Sequence, residues 1–255
     1  RTRIARLHQA GNAKIRVPKT HGEALEAVLI NTAGGVTGGD TLDWTVEAGP
    51  RTGAVVTTQA CERIYRSTGD AGVQTATVTV GDDAALFWLP QETILFDGGR
   101  FRRTLDVDLA ETARFVGLET LVFGREAMGE TVASGFFHDR WRIRRGGVLL
   151  HADDLRFDLA APLDPADAAI LGANRVAATL VAALPADAES LDLVVGKARA
   201  LLDGAPAGVS RIGERQTGKV VVRIAAPSAY ALRRRLFAVI GLFLDGLEMP
   251  KVWRI

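Results

Sequence analysis

The first part of the chain alternates apolar and polar residues with a period of two, which is typical of β-strands with one buried face. The clearest apolar sets are Leu42/Trp44/Val46, Ala76/Val78/Val80, Leu105/Val107/Leu109 and Trp141/Ile143. Turn-forming residues separate these segments, and Gly146-Gly147 has the form of a two-residue hairpin loop. Recurring short strands predict a sandwich, a barrel or a β-solenoid over residues 1–160.

The last part of the chain, residues 161–255, has a different pattern that predicts mixed α/β structure. An alanine-rich stretch near 166–184, closed by Pro185, places its apolar residues on one helical stripe and predicts an amphipathic helix. A second helix is predicted near 227–246, with Gly246 as its stop. This second helix is apolar around most of its circumference, so we expect the rest of the fold or a partner to cover it.

Three further features complete the secondary-structure prediction. The segment Leu191–Leu202 is ambiguous between strand and helix, because Gly196 weakens a helical pattern. The segments 209–213 and 219–224 predict a hairpin. No repeat of fixed length is visible in the sequence.

Composition excludes several function classes. The 31 lysines and arginines balance 30 aspartates and glutamates, so no overall charge draws the chain to nucleic acid or to an anionic membrane. The local run of arginines over 140–145 is interpreted as a solvated face. One cysteine cannot form an internal disulfide, and no apolar run reaches the roughly 18 residues that a membrane helix needs. These features predict a cytoplasmic protein.

A glycine-rich stretch, Asn31–Asp40, lies between an apolar run and the first alternating segment. It contains four glycines, which let the backbone approach other groups closely: Gly34, Gly35, Gly38 and Gly39. The stretch has no lysine after its second glycine pair, so it fails the P-loop pattern, and its spacing also misses the dinucleotide fingerprint. We interpret it as a tight corner between two strands, with Asp40 at the exit.

Four further blocks follow this corner in a fixed order. They are Thr57-Thr58-Gln59 with 63–67, Trp88–Ile94, Phe96–Phe101 and Gly124–Glu130. In this order and spacing, the five blocks resemble the UreD family of urease accessory proteins, also called UreH, and residues 247–254 resemble that family's terminus. The positions that match the family's motifs are Gly34, Gly35, Gly38, Gly39, Asp40, Thr58, Gln59, Tyr65, Arg66, Pro90, Gln91, Gly124, Arg125, Gly129 and Glu130.

The resemblance implies a mostly β, two-layer, solenoid-like fold in one domain over 1–255, with a few helices in the last third. Family members usually begin earlier, so we expect an N-terminal strand to precede Arg1. The resemblance also implies a non-enzymatic scaffold and metallochaperone component that inserts nickel into urease. Its implied partners are a UreF-type accessory protein, a UreG-type GTPase bound through UreF, and apo-urease, with two copies of each accessory protein.

The residues present do not form a recognisable nickel cage. Ni²⁺ favours imidazole and other nitrogen or oxygen ligands, or thiolate in some sites. None of the four histidines has a partner at metal-binding spacing, and Cys61 has no nearby Cys or His: His8, His21, His138 and His151. We therefore expect no tightly bound cofactor and only transient Ni²⁺.

Carboxylates beside the family-like blocks are the remaining candidates for a nickel relay. Oxygen ligands that bind loosely suit an ion that must leave as readily as it enters. The candidates are Asp40, Glu119 and Glu126. The structural alternative is that these acids cap turns.

Two other function classes stay open at this point. A β-rich hydrolase could use paired carboxylates such as Glu126 and Glu130, although the chain has no GxSxG serine motif. A purely structural interaction module would bind partners without any metal role. The chain also lacks a P-loop, and the resemblance implies that a separate GTPase partner hydrolyses GTP.

Overall fold

The computed structural model describes residues 1–20, 22–159, 171–213, 218–244 and 247–253. These residues form two β-sheets and two α-helices, α1 (Ala188–Leu201) and α2 (Ala229–Gly241). Two short 3₁₀ helices lie at Glu126–Met128 and Lys251–Trp253. No helix among the described residues is long and apolar enough to cross a membrane.

The strands divide between a ten-stranded first sheet and a five-stranded second sheet. The first sheet contains β1 (Ala13–Arg16), β2 (Leu25–Asn31), β4 (Gly53–Thr58), β5 (Glu62–Ile64), β7 (Ala85–Leu89), β8 (Thr93–Leu95), β10 (Arg114–Phe123), β13 (Val176–Ala183), β14 (Ala207–Ile212) and β15 (Lys219–Ala226). The second sheet contains β3 (Thr41–Ala48), β6 (Gly72–Val80), β9 (Arg100–Leu109), β11 (Gly135–Arg145) and β12 (Val148–Leu159).

The chain winds between the two sheets as a β-solenoid of about 3 turns. Each turn adds one long strand to each sheet, so β2, β4, β7 and β10 pair in parallel in the first sheet. The strands β3, β6, β9 and β11 pair in parallel in the second. The predicted mostly β, two-layer, solenoid-like fold is therefore confirmed.

The solenoid turn has a recurring length that the sequence does not reveal as a repeat. Several side-chain hydrogen bonds join residues separated by 31 positions, including Asn31 to Glu62 and Trp88 to Glu119. Such bonds connect the same point of successive turns. Successive turns thus have a similar length but different residue types, so the sequence shows no repeat.

A third layer covers the outer face of the first sheet. The helices α1 and α2 bury Leu191, Val195, Leu232 and Leu236 against apolar side chains of this sheet. Ser228 caps α2 by accepting a hydrogen bond from the Ala231 amide at 3.2 Å. The helix predicted near 227–246 is thus confirmed as α2, which covers the core, but α2 ends at Gly241, before the predicted stop at Gly246. Residues 242–244 are not helical, and residues 245–246 lie outside the described residues.

All four alternating segments form strands of the second sheet: β3, β6, β9 and β11. This sheet packs only one face against the core, so its sequence alternates cleanly. The predicted hairpin between β11 and β12 is also confirmed. Gly146 and Gly147 both have positive φ, 53° and 79°, as this tight two-residue loop requires.

The helix predicted near 166–184 is wrong over its described part. Residues 176–183 form strand β13, which lies between β10 and β15 with both faces buried. Val176 and Leu180 face the helices, whereas Val181 and Ala183 face the second sheet. A strand buried on both faces is apolar throughout, so periodicity cannot distinguish it from a buried helix. Residues 166–170 lie outside the described residues.

The ambiguous segment Leu191–Leu202 is helical. It belongs to α1, whose N-terminus is capped by Asp187, where Oδ1 accepts from the Ser190 amide at 2.7 Å. Pro185 therefore precedes this helix instead of closing an earlier one. The hairpin of the two following segments is confirmed as the antiparallel pair β14 and β15.

Candidate functional site

Three charged side chains form a layer inside the solenoid, between the two sheets. Arg103 on β9 and Asp139 on β11 are direct neighbours in the second sheet, and Glu119 projects toward them from β10 of the first. Their side chains are 4%, 8% and 4% exposed. We call Arg103, Glu119 and Asp139 the ionic layer.

Arg103 holds the ionic layer together. Its Nε and Nη2 donate to the two carboxylate oxygens of Asp139 at 3.1 and 2.6 Å, and Nη1 donates to Thr93 Oγ1 at 3.0 Å. Nη1 also lies against Glu119 Oε2, as an ion pair without the geometry of a directed hydrogen bond. One guanidinium therefore serves two buried carboxylates, and its bond to Asp139 is the better formed.

Two tryptophans enclose the ionic layer. Trp88 Nε1 donates to Glu119 Oε1 at 3.1 Å, and Trp141 Nε1 donates to Asp139 Oδ1 at 3.2 Å. A cavity of about 30 Å³ adjoins these groups, with Thr179 also in its lining. That volume accommodates about one water molecule, and the polar lining offers the partners that such a water needs.

Burial sets the protonation behaviour of the ionic layer. Loss of solvation raises the pKa of Glu119 to about 7, against the lowering effect of Arg103. Burial alone would lower the pKa of Arg103, but Asp139 and Glu119 hold it above its ordinary value. The layer thus keeps a permanent positive charge beside a glutamate that titrates near neutral pH.

The second candidate region is a column of corners that repeat along one edge of the solenoid. Each corner follows a buried residue of a short parallel ladder, and the ladder residues are Val36, Ile64, Leu95 and Phe123. The segments that follow these residues contain most of the family-like blocks. We call this region the corner column.

Close backbone packing explains the glycines of the corner column. A Cβ on Gly35 would lie 2.2 Å from the Tyr65 ring, and one on Gly38 would lie 2.1 Å from Ser67 Oγ. Gly124 has φ of 76°, and a Cβ there would lie 2.7 Å from the Glu130 carbonyl oxygen. The family-matching glycines at these positions therefore have a structural reason.

Hydrogen bonds tie successive corners together. Asp97 pairs with Arg66 of the preceding turn, and its Oδ1 accepts from the amides of Ala133 and Ser134 at 2.9 and 3.0 Å. Burial would raise the pKa of Asp97, but these amides and Arg66 together hold it below its ordinary value. Asp97 stays ionised and links three levels of the column.

Arg125 and Glu130 form a bidentate pair at the last corner. Arg125 Nε and Nη2 donate to the two Glu130 oxygens at 3.0 and 2.8 Å, and the Arg125 guanidinium lies 4.5 Å from the Phe96 ring centroid. The hydrogen bonds from Arg125 hold the pKa of Glu130 below its ordinary value. Glu130 is therefore committed to an ion pair, which disfavours its use with Glu126 as a pair of hydrolytic carboxylates.

The Pro90–Gln91 block anchors the last residues of the chain. Gln91 Oε1 accepts from Arg233 of α2 at 2.6 Å, and the backbone N–H of Gln91 donates to Thr58 Oγ1 at 2.9 Å. Arg233 also donates to the Val252 carbonyl at 2.7 Å, and Trp253 Nε1 donates to the Leu89 carbonyl at 3.0 Å. The 247–253 segment is thus fastened to the solenoid.

The three nickel-relay candidates have different environments. Asp40 is exposed and its Oδ2 accepts from the Thr37 amide at 2.9 Å, which is the turn-capping geometry of the structural alternative. Glu126 is exposed at the first position of the 3₁₀ helix in the last corner. Only Glu119 of these three is buried and lines the cavity.

Among the described residues, no group of three or more His, Cys, Asp or Glu side chains could hold a metal ion. His138 pairs with Asp154, with 2.6 Å between Nε2 and Oδ1, and His8 is exposed. His151 is buried, and loss of solvation lowers its pKa to about 4. Cys61 is a free, half-buried thiol, and His21 lies outside the described residues.

Comparison with known proteins places this arrangement in a family. Residues 1–254 match the family described as UreD urease accessory protein. The chain belongs to the UreD family. The name "Urease accessory protein UreD" is carried by relatives from Rhizobium etli, 48% identical over 255 residues, and from Agrobacterium fabrum, 42% identical over 255 residues. These alignments cover 100% of this chain and 90% and 87% of the two relatives.

Sequence reasoning about this UreD-family chain found Glu119 but missed Arg103 and Asp139. A signal for both was present in the alternation. Arg103 lies between Phe101 and Leu105 at the apolar phase of β9, and Asp139 occupies the same phase of β11 beside Trp141. A charged residue at a core-facing position is costly unless it is paired, so it marks a buried polar site.

Proposed function

We propose that this protein takes part in nickel insertion during maturation of the urease active site, as a non-enzymatic scaffold and metallochaperone component. Membership of the UreD family of urease accessory proteins supports a role in this process. The observation that carries the nickel role is the ionic layer, in which Glu119 and Asp139 line a water-sized cavity inside the solenoid.

In this proposal, the protein works in the cytoplasm and bridges apo-urease and the other accessory proteins. A UreF-type protein binds it directly, a UreG-type GTPase joins through UreF, and two copies of each form the accessory complex. GTP hydrolysis by the GTPase releases the ion. The UreD-family chain then supplies a protected route instead of a reaction step.

The ionic layer is better suited to the passage of a nickel ion than to its tight binding. Arg103 already pairs with both carboxylates, so an arriving divalent cation must compete with a guanidinium for Glu119 and Asp139. Competition of this kind weakens binding and lets the ion leave. The Glu119 carboxyl, whose pKa is about 7, can also lose a proton when a cation approaches. Nickel is therefore a transient cargo in this proposal, and not a resident cofactor.

The test measures the nickel content and activity of urease matured by accessory complexes that carry single substitutions. We expect Glu119→Gln to lower nickel loading while the complex still assembles, because the amide keeps the shape of the side chain and removes its charge. The relay hypothesis predicts smaller losses for Glu126→Gln. Asp40→Asn tests the turn cap, and we expect it to weaken the corner before it affects nickel.

The outcomes separate the alternatives. Intact complexes with unchanged nickel loading for all three variants would contradict the carboxylate relay. Loss of the complex in the Glu119 variant would assign that residue to structure. GTP hydrolysis by the purified chain alone would contradict the non-enzymatic role.

A further inference from the structure

A cluster of arginines lies on the outer face of the second sheet, on the opposite side of β9 and β11 from the ionic layer. At its centre is Phe136, which faces outward because the next residue, Phe137, packs into the core. Phe136 is nevertheless only 5% exposed. Three guanidiniums lie close to its ring, those of Arg100, Arg102 and Arg156, with carbons 5.5, 5.2 and 5.5 Å from the centroid.

Strand register builds this cluster. Arg100 pairs with Phe136 across β9 and β11, and Arg102 pairs with His138. Arg156 of β12 pairs with His138 from the other side. The His138 ring also packs edge-on against Phe136, at 6.4 Å between centroids. These five residues sit on three hydrogen-bonded strands, and we call them the arginine platform.

Positive charge on and around the platform exceeds the negative charge available to it. The two cross-strand rows that hold the platform carry three arginines and one aspartate at outward positions: Arg100, Arg102 and Arg156, with Asp158. Asp154 pairs with His138 and Arg142, and Asp158 lies 3.8 Å from Arg156. The ion pairs recorded among the described residues include none to Arg100, Arg102 or Arg140.

The other end of the same face has the opposite character. Its outward positions include Glu47, Asp106 and Asp108, and Asp106 lies directly opposite Arg142. Arg144 lies beside Asp106 and Asp108, with nitrogen to oxygen distances of 3.7 and 4.0 Å. At the other end of the face, Arg142 and Arg144 thus lie among acidic residues, whereas the arginines around Phe136 exceed the acids of their own rows. A concentration of one sign attracts a ligand of the other.

We propose that the arginine platform docks an extended acidic segment of a partner protein. Residues two positions apart on a strand project to the same face about 6.6–6.8 Å apart, and alternate carboxylates of an extended peptide have the same spacing. Arg100 and Arg102 match that spacing, and Arg156 extends the platform across two strand intervals. A charged area of this size suits several carboxylates in a row.

Phe136 holds the guanidiniums of the platform in fixed orientations for binding. Guanidiniums stacked on an aromatic ring are held in a planar, pre-oriented fork, so they lose less rotational freedom when they bind a carboxylate. The ring contact also holds like charges together before the acidic segment arrives. The inference goes beyond the proposed function, because it assigns a docking surface that the nickel route does not use.

The test uses fluorescence polarisation with the full chain and two labelled peptides of equal composition. One peptide alternates Glu and Thr, and the other carries the same glutamates in one block. We expect the alternating peptide to bind more tightly, and added salt to weaken it. The double variant Arg100→Gln/Arg102→Gln should weaken binding by about tenfold or more, because two charge-assisted contacts are lost.

Two variants control for charge and fold. Arg144→Gln removes one positive charge from β11 on the same face of the sheet, outside the platform, and should leave the affinity unchanged. Phe136→Leu keeps every charge but removes the ring, and should weaken binding without changing the salt dependence. Thermal melts of each variant show whether the fold is retained.

The proposal fails on any of four results. These are no binding of the alternating peptide at millimolar concentration and low salt, equal binding of the block peptide, an unchanged affinity in a folded Arg100→Gln/Arg102→Gln variant, and displacement of the peptide by inorganic phosphate or duplex DNA at lower concentration. The last result would assign the platform to a small anion or to nucleic acid. None of these measurements involves urease, so they stand apart from the test of nickel insertion.

Discussion

Glu119 and Glu130 are both paired with arginines, and their environments shift their pKa values in opposite directions. Glu119 lies in the ionic layer with Arg103, and burial raises its pKa to about 7. Glu130 lies in the corner column, and the hydrogen bonds from Arg125 hold its pKa below the ordinary value. The Glu119 and Glu130 side chains are 4% and 12% exposed, and their partners Arg103 and Arg125 are 4% and 45% exposed.

The difference shows that an arginine partner does not by itself keep a glutamate ionised. Glu130 receives two hydrogen bonds from the Arg125 side chain and another from the Arg125 amide at 2.9 Å. Glu119 receives one from Trp88 and shares Arg103 with Asp139. Incomplete hydrogen bonding at low solvation makes the interior pair responsive to protons and cations, whereas the surface pair fixes a corner.

The largest expected effect comes from removing Arg103. Arg103→Met leaves Glu119 and Asp139 buried without a counter-charge, and breaking a buried ion pair in this way costs about 3–5 kcal/mol. The free energy of unfolding, measured by urea denaturation, should fall by this amount, or the variant should fail to fold.

A triple variant separates charge from packing at the same site. Arg103→Met with Glu119→Gln and Asp139→Asn has no buried charge left, so it should recover part of the stability that Arg103→Met loses. A triple variant less stable than the single variant would show that the ionic layer acts through shape instead of charge.

The second prediction concerns the backbone that builds the surface pair. Gly124→Ala forces an alanine into positive φ and brings its Cβ against the Glu130 carbonyl oxygen. The strain costs on the order of 1–3 kcal/mol before the contact is counted. The matched control is Gly129→Ala, where φ is also positive at 63° but nothing lies within 4 Å of the added carbon. Thermal unfolding should show the larger loss for Gly124→Ala, and equal losses would show that the close contact contributes nothing.

The third prediction is a pH dependence that belongs to Glu119. Its pKa rises from 4.5 to about 7 on folding, so between these values the folded state binds its proton more tightly than the unfolded state. This group therefore makes the protein less stable as the pH rises through that window. Glu119→Gln cannot titrate, so the stability of the wild type relative to this variant should decrease from about pH 5 to about pH 8. A constant difference across that range would place the folded pKa of Glu119 at its ordinary value.

The same contrast between interior and surface explains what the sequence could predict. Alternation identified β3, β6, β9 and β11, because the second sheet has one solvated face. It failed at β13, because a strand buried on both faces contains no polar phase to mark it. A strand with one solvated face alternates polar and apolar residues, whereas a strand with both faces buried has no such alternation.

The candidate sites follow the same division. The corner column was foreseeable, because glycines and turn residues report local backbone geometry. The ionic layer was foreseeable only in part. Alternation places Arg103 and Asp139 at core-facing positions, but these residues are 36 apart in sequence and meet Glu119 only when the second sheet packs on the first. Single acids could be selected by their position beside a block, and Glu119 was one of them. Their partners depend on tertiary packing, which no local pattern contains.

The smallest expected effect comes from the surface pair itself. Arg125→Gln removes a guanidinium that is largely in water, so solvent replaces much of what Glu130 loses. Glu130 also keeps its hydrogen bonds from the backbone amides of Arg125 and Asp97. The pKa of Glu130 should rise toward its ordinary value, because the side-chain hydrogen bonds from Arg125 that lower it most are lost. Nuclear magnetic resonance titration of the side-chain carboxyl measures this pKa directly. Melting temperature should change little in comparison with Arg103→Met. A loss of stability comparable with that of Arg103→Met would contradict the distinction between the two pairs and would give the corner column the energetic role assigned here to the ionic layer.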